Sequence, residues 1–158
     1  MHPDFLVVED YGLILPAKLL AVPKYAPLNV HHSLLPKYRG PAPAPYTLLS
    51  GDTESGVSVI HMADKVDAGD IYAQTSYTLK ADETTSSLLS KLNELGGQLV
   101  VKVMQDIKAG KAQRKTQNEN DVVMTYYMKK EDGYIDPANI PDKTTIDRMI
   151  RAYFPWPT

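Results

Sequence analysis

The sequence predicts an α/β fold, a mostly parallel sheet with helices packed on it. Two observations carry this. Short apolar or alternating runs at 5–8, 28–31, 56–62 and 71–79 have the period of two that strands show, and helical signals separate or follow them. The longest signal lies at 85–109, where Leu88, Leu92, Leu95, Leu99, Val103 and Ile107 recur every three or four residues and so share one helix face.

Each element follows from its own residues. Phe5-Leu6-Val7-Val8 is apolar and partly β-branched, a buried strand that opens the chain and, at a sheet edge, needs a cover. Tyr11-Gly12 interrupts it, and 13–22 reads as a helix with Pro16 in its first turn and Pro23 beyond its end. Leu28-Asn29-Val30-His31 is a second strand. From Ser33 to Pro45 prolines and a glycine exclude regular structure, so this is a loop. Residues 46–50 form a short helix before the turn at Gly51-Asp52, and Gly96-Gly97 inside the long helix requires either a close neighbour or a bend. Beyond Gly110, residues 111–120 are polar, 122–127 form a further strand, 131–134 a turn, and 142–152 the last helix.

The chain has 158 residues, 17.6 kDa, 43% hydrophobic and 23% charged side chains, which fits one soluble domain over 1–158 and excludes disorder, fibrous repeats and coiled coils. No run approaches the roughly 18 apolar residues of a membrane span, and the opening residues lack a basic flank and cleavage site, so the expected address is cytoplasmic. With Cys 0, disulfides, thiolate metal sites and cysteine nucleophiles are excluded, and no metal is expected. The formal charge of −2 gives the whole chain no electrostatic pull toward nucleic acid. Lys102, Lys108, Lys111, Arg114 and Lys115 are read as a solvated helix face in preference to a phosphate-binding patch.

Two clusters carry chemistry. Asn29 and His31, at i and i+2, point to the same side at the C-terminal end of a strand, where open α/β sheets bind ligands. The loop Asp64-Lys65-Val66-Asp67-Ala68-Gly69-Asp70 brings carboxylates between two strands in a spacing unlike a calcium loop. An imidazole exchanges protons near neutrality, an amide donates to an oxyanion, and a carboxylate orients or charges the imidazole. Together they suit acyl transfer without a covalent enzyme intermediate. Taken singly, each is also a common turn residue. His32 is expected to face away from His31, His61 to be half-buried in a strand, and Asp52 to be a turn residue.

Asn29-Val30-His31-His32-Ser33-Leu34-Leu35-Pro36, followed by Arg39-Gly40, resembles the signature of the folate-dependent formyltransferases. Tyr11-Gly12-Leu13-Ile14-Leu15-Pro16, Gly51-Asp52 with Glu54, Gly56 and Val57, and Val66-Asp67-Ala68-Gly69-Asp70-Ile71 resemble further blocks of it in order. Lys130 to Asp136 and Ile150 to Pro157 are most similar to the methionyl-tRNA formyltransferases of that family. The resemblance implies a partial Rossmann-like formyltransferase fold and formyl transfer from 10-formyltetrahydrofolate to the α-amine of initiator methionyl-tRNA, a step of translation initiation. On it, Asn29 and protonated His31 stabilise the oxyanion, and Asp67 charges His31 and helps move the amine proton. Tyr11, Gly12, Leu13, Leu15, Asp64, Lys65 and Val66 match the pterin pocket, and Ser33, Leu34, Leu35, Pro36 and Arg39 the acceptor side.

The sequence also departs from the family pattern. Strand-helix units ahead of Pro3-Asp4 and a barrel-like domain after Pro155-Trp156-Pro157 are not in this sequence, and Asp10 stands where a small residue is usual. Two other functions stay open on the residues: transfer to an amino sugar nucleotide, and a non-catalytic folate-binding or interaction module. The strand at 5–8, standing where the family has further strands, is expected to pair two copies into a homodimer.

Overall fold

A computed structural model describes residues 2–157. Its sheet has four strands in the order β1 (Phe5–Glu9), β2 (Ala26–His31), β3 (Glu54–His61) and β4 (Ile71–Thr78). The helices are α1 (Ala17–Leu20), α2 (Pro43–Ser50), α3 (Thr85–Lys108) and α4 (Lys143–Tyr153), with single 3₁₀ turns at Glu119–Asp121 and Lys130–Gly133. The α/β class holds, but the sheet is mixed: β1 and β2 are parallel, while β2 with β3 and β3 with β4 are antiparallel. The connection from His61 to Ile71 is shorter than the dozen or so residues a parallel crossover takes, so β4 returns beside β3 as a hairpin.

Alternation along β2 sorts its two faces. Leu28 and Val30 join Val57 and Val59 of β3 and Leu88, Leu92, Leu99, Val100 and Val103 of α3 in the main core. Asn29 and His31 face the other way, where Leu35, Ile60 and Ile71 form a small second cluster. Thr84 caps α3 by accepting from Ser87 N–H, and Asp142 caps α4 by accepting from Thr144 and Thr145. These caps set both helix starts within a residue of where the sequence places them.

Three local expectations change. Helix is confined to Ala17–Leu20 within 13–22, because the residue before Pro16 is driven to extended backbone and Pro16 itself is extended at ψ 144°. Residues 11–15 are thereby free to wrap a cavity. Helix α2 starts three residues early, with Pro43 in its first turn where a missing N–H costs nothing. Residues 122–127 form no strand: Arg39 N–H donates to Val123 O (2.9 Å) and Thr125 N–H to Arg39 O (2.7 Å), so this segment serves a loop and touches no sheet edge.

The paired glycines of α3 have different reasons. A Cβ on Gly96 would stand 2.6 Å from Val30 Cγ1, whereas one on Gly97 meets nothing within 4 Å. Helix α3 runs through both, so close packing accounts for Gly96, while no neighbour requires Gly97. Gly97→Ala is therefore expected to stabilise the chain by up to about 1 kcal/mol, roughly 2–4 °C in Tm, and Gly96→Ala to destabilise it. Thermal unfolding of the two variants checks this, and equal shifts would contradict it.

Candidate active site

A cavity of about 530 Å³ opens at the C-terminal ends of β1 and β2. Its walls are the 11–15 segment and the loop after β3, so Tyr11, Gly12, Leu13, Leu15, Asp64, Lys65 and Val66 all line it. Leu13 and Ile14 are 71% and 81% exposed, which gives this wall an apolar surface. Tyr127 closes one side by donating its hydroxyl to Gly12 O (3.2 Å). The basic run lies elsewhere, with Lys102 paired to Asp106 and Lys108 to Asp4 on the exposed side of α3.

Asn29, His31 and Asp67 meet at the floor of the cavity. Asn29 Nδ2 donates to Asp67 Oδ1 (3.1 Å), and Gly40 N–H donates to Asp67 Oδ2 (2.9 Å). His31 Nδ1 lies 3.6 Å from the same Oδ2, an ion-pair rather than a hydrogen-bond separation. His31 Nε2 sits 2.8 Å from Tyr38 O, and because a carbonyl only accepts, this nitrogen carries the proton. The neutral imidazole thus presents a bare Nδ1 toward Asp67 and the cavity. Burial pushes His31 below the usual histidine range, against the opposing pull of Asp67. The resting imidazole is accordingly neutral, and the protonated form belongs to a later stage of any reaction.

His32 lines the same cavity as His31, between Glu9 and Asp10. It is buried, with Nε2 3.2 Å from Glu9 Oε1 and Nδ1 3.4 Å from Asp10 Oδ1. Burial works against its charged form, yet the hydrogen bonds and charges of Asp10 and Glu9 outweigh burial and hold it above the ordinary value; the His32 hydrogen bond in turn lowers Asp10. A raised imidazole contributes stability that is fully present below the unfolded pKa of about 6.5 and is lost as pH rises through the folded value. The stability difference between wild type and His32→Gln should therefore shrink from pH 6 toward pH 9 in urea unfolding. A difference that grows over that window would reverse the assignment.

The positions matched to an acceptor are not among those that line this cavity, and Leu34 lines a second one. Ser33, Leu35 and Arg39 are buried at 1%, 3% and 4%. Ser33 Oγ donates to Lys37 O, Ser58 Oγ donates to Ser33 O, and Leu35 N–H donates to Ser58 Oγ, which pins the loop to β3. Leu34 packs over Gly56, and Pro36 O accepts from Val123 N–H. Asp52 is the expected turn residue and accepts from Tyr38 Oη and Lys37 Nζ. His61 is half-buried beside Tyr72 Oη. Conversely, the sequence does not single out the Tyr38 carbonyl or the Gly40 N–H, since backbone groups leave no residue-type signature.

Among the described residues no group of three or more His, Asp or Glu side chains is placed to hold a metal ion, and no helix is long and apolar enough to cross a membrane. The floor thus combines an imidazole, an amide and a carboxylate, groups suited to proton transfer and to stabilising an oxyanion. The sequence model of the formyl transferase family matches residues 1–104, and the chain belongs to that family. It is 43% identical over 157 residues to the methionyl-tRNA formyltransferase of Latilactobacillus sakei and 37% identical to that of Marinobacter nauticus, covering 99% of this chain and 49% and 50% of those proteins. The chain thus spans about half the length of the curated relatives it matches. The crystal structure of HypX from Aquifex aeolicus in complex with tetrahydrofolic acid shares the fold at a TM-score of 0.82 and 19% identity, covering 96% of this chain and 26% of that one.

Proposed function

We propose that this chain carries the centre for transfer of a formyl group from 10-formyltetrahydrofolate to the α-amine of initiator methionyl-tRNA. The observation that carries the reading is Asp67, whose carboxylate accepts from Asn29 Nδ2 and Gly40 N–H and lies 3.6 Å from His31 Nδ1 on a cavity floor. The relatives named above supply the acceptor, and the bound tetrahydrofolate of the HypX structure supports the donor class. The cavity, apolar along 13–15 and polar at its floor, suits a flat heteroaromatic ring with a reactive group held over the three side chains.

The steps follow from the resting protonation states. The neutral amine attacks the formyl carbon, a C–N bond forms, and the carbonyl oxygen takes up negative charge. Asn29 uses one amide N–H on Asp67 and has the second for that oxygen. The amine proton passes to the bare Nδ1 of His31, whose new positive charge is matched by Asp67 beside it. The formyl–folate C–N bond then breaks as the proton is delivered to the departing nitrogen. His31 returns to its neutral form, so no proton or electron is left over.

The test is direct. The chain is incubated with 10-formyltetrahydrofolate and charged initiator tRNA, and in a parallel reaction with an amino sugar nucleotide. Formylmethionyl-tRNA is the expected product. Transfer to the sugar alone would replace the acceptor, and folate binding without transfer to either would leave a binding module in place of an enzyme.

A further inference from the structure

Residues 111–120 read as a polar connector, yet Gln117 within them is 6% exposed. Its side chain is fully committed. Nε2 donates to Asp67 O (2.7 Å) and to Gly69 O (2.8 Å), and Oε1 accepts from Arg39 Nε (2.9 Å). Arg39 has donors only, so it forces the amide oxygen toward itself and leaves the NH₂ group aimed at the loop. The remaining guanidinium N–H groups of Arg39 reach Glu119 at 3.2 and 2.8 Å, which balances the buried charge.

The loop needs this support. Asp67 has φ 50°, a left-handed backbone that a side chain adopts at a cost of about 1–2 kcal/mol. Its carboxylate is held by Gly40 N–H, which belongs to the turn that Arg39 begins. Thr125 secures that turn, accepting from Ala42 N–H (3.2 Å) while its own N–H and hydroxyl donate to Arg39 O. One segment, 117–125, therefore grips Asp67 from the backbone side and the turn that binds its carboxylate.

We propose that Gln117 is a positioning residue for the Asn29–His31–Asp67 centre: by binding the Asp67 and Gly69 carbonyls it holds Asp67 left-handed, so that one carboxylate faces both Asn29 Nδ2 and His31 Nδ1. The proposal rests on Asp67 belonging to the acyl-transfer centre. It extends the reacting trio to a clamp that touches neither donor nor acceptor.

The test replaces Gln117 with methionine, which keeps volume and charge but removes both donors. Groups facing His31 are Asp67 from the β3–β4 loop, the Tyr38 carbonyl, His32, and Asp10 from the end of β1; of these Asp67 alone accepts directly from Gln117, while Tyr38 precedes Arg39, which donates to Gln117. With Asp67 released, the imidazole loses a favourable charge, so the His31 ring signals in NMR should titrate at lower pH than in wild type. Turnover should fall about 10²-fold, the scale of a misplacement near 1 Å, with KM for 10-formyltetrahydrofolate within about threefold. A fall in turnover with an unmoved His31 titration would assign Gln117 to packing alone and overturn the proposal, as would an unchanged turnover. Wild type gives an independent reading should the variant fail to fold: the Gln117 side-chain amide protons should exchange slowly and show contacts to residues 67–69, and solvent-rate exchange overturns the proposal. Should wild type transfer no formyl group to any acceptor, the functional reading falls while the His31 titration still decides the clamp.

Discussion

On the proposed function, His31→Ala should lower formyl transfer by about 10²–10⁴-fold, and Asn29→Ala by about 10²–10³-fold, while each variant should bind 10-formyltetrahydrofolate within a few-fold of the unsubstituted chain. The split follows from where the side chains sit. Both are on the cavity floor, whereas the walls that would hold a pterin are the 11–15 segment and 62–66, which neither substitution touches. His31 supplies the only bare ring nitrogen beside Asp67, and its loss leaves the attacking amine without a proton acceptor of matched basicity. Asn29 supplies an amide N–H for charge that exists only once the carbonyl has been attacked, so its loss lowers kcat far more than it raises KM. The two effects should also combine less than additively, because both side chains lean on the same Asp67 carboxylate. Single-turnover assays with equilibrium donor binding measure both. Full turnover in both variants would remove the trio from the mechanism.

The burial of His31 adds a pH signature. Its neutral form is required and its pKa is held below the ordinary range, so kcat/KM should show, apart from the limb at about pH 7.7–8.0 that deprotonation of the attacking α-amine imposes, a separate His31 limb below about pH 6.5. Asp67→Asn keeps the shape but removes the charge that favours the imidazolium, and moves that limb to lower pH. A limb that moves upward would mean that Asp67 does not act on His31 electrostatically.

What the sequence makes legible is local. The leucines of α3 repeat with the helix period, the starts of α3 and α4 fall within a residue of the places read for them, and Asn29 and His31 share a face because the strand period is two. Asp67 joins them only through the resemblance, since nothing in Asp64 to Asp70 says which carboxylate turns inward. Sheet direction is not local: β3 and β4 look the same in either sense, and the short 62–70 connection decides for antiparallel. The buried roles of Arg39 and Gln117 are invisible for the opposite reason. Each reads as a surface residue by type, and partners distant in the chain make its burial tolerable: the two bond each other, Glu119 pairs with Arg39, and the Asp67 and Gly69 carbonyls accept from Gln117.

Gly40→Ala should cost about 3 kcal/mol or more. Gly40 has φ +111°, well outside the backbone region that side chains accept, and a Cβ would stand 2.5 Å from Thr125 O and 2.8 Å from Thr125 Oγ1. Backbone strain contributes about 1–3 kcal/mol and overpacking a similar amount. Neither neighbour can step aside, because Thr125 is buried and its N–H and hydroxyl both donate to Arg39 O. Gly51 provides the contrast. It too is left-handed at φ +71°, but its close neighbour is the Arg148 guanidinium, the far end of a flexible side chain. Gly51→Ala should therefore cost only about 1–2 kcal/mol of backbone strain. Urea unfolding of the pair, compared at equal m-value, separates close approach from handedness. Equal losses would mean that Thr125 yields, and the turn would then not be the rigid support that Asp67 needs. Because Gly40 N–H is a direct ligand of the Asp67 carboxylate, its substitution should also lower turnover, tying the stability of this turn to the chemistry on the cavity floor.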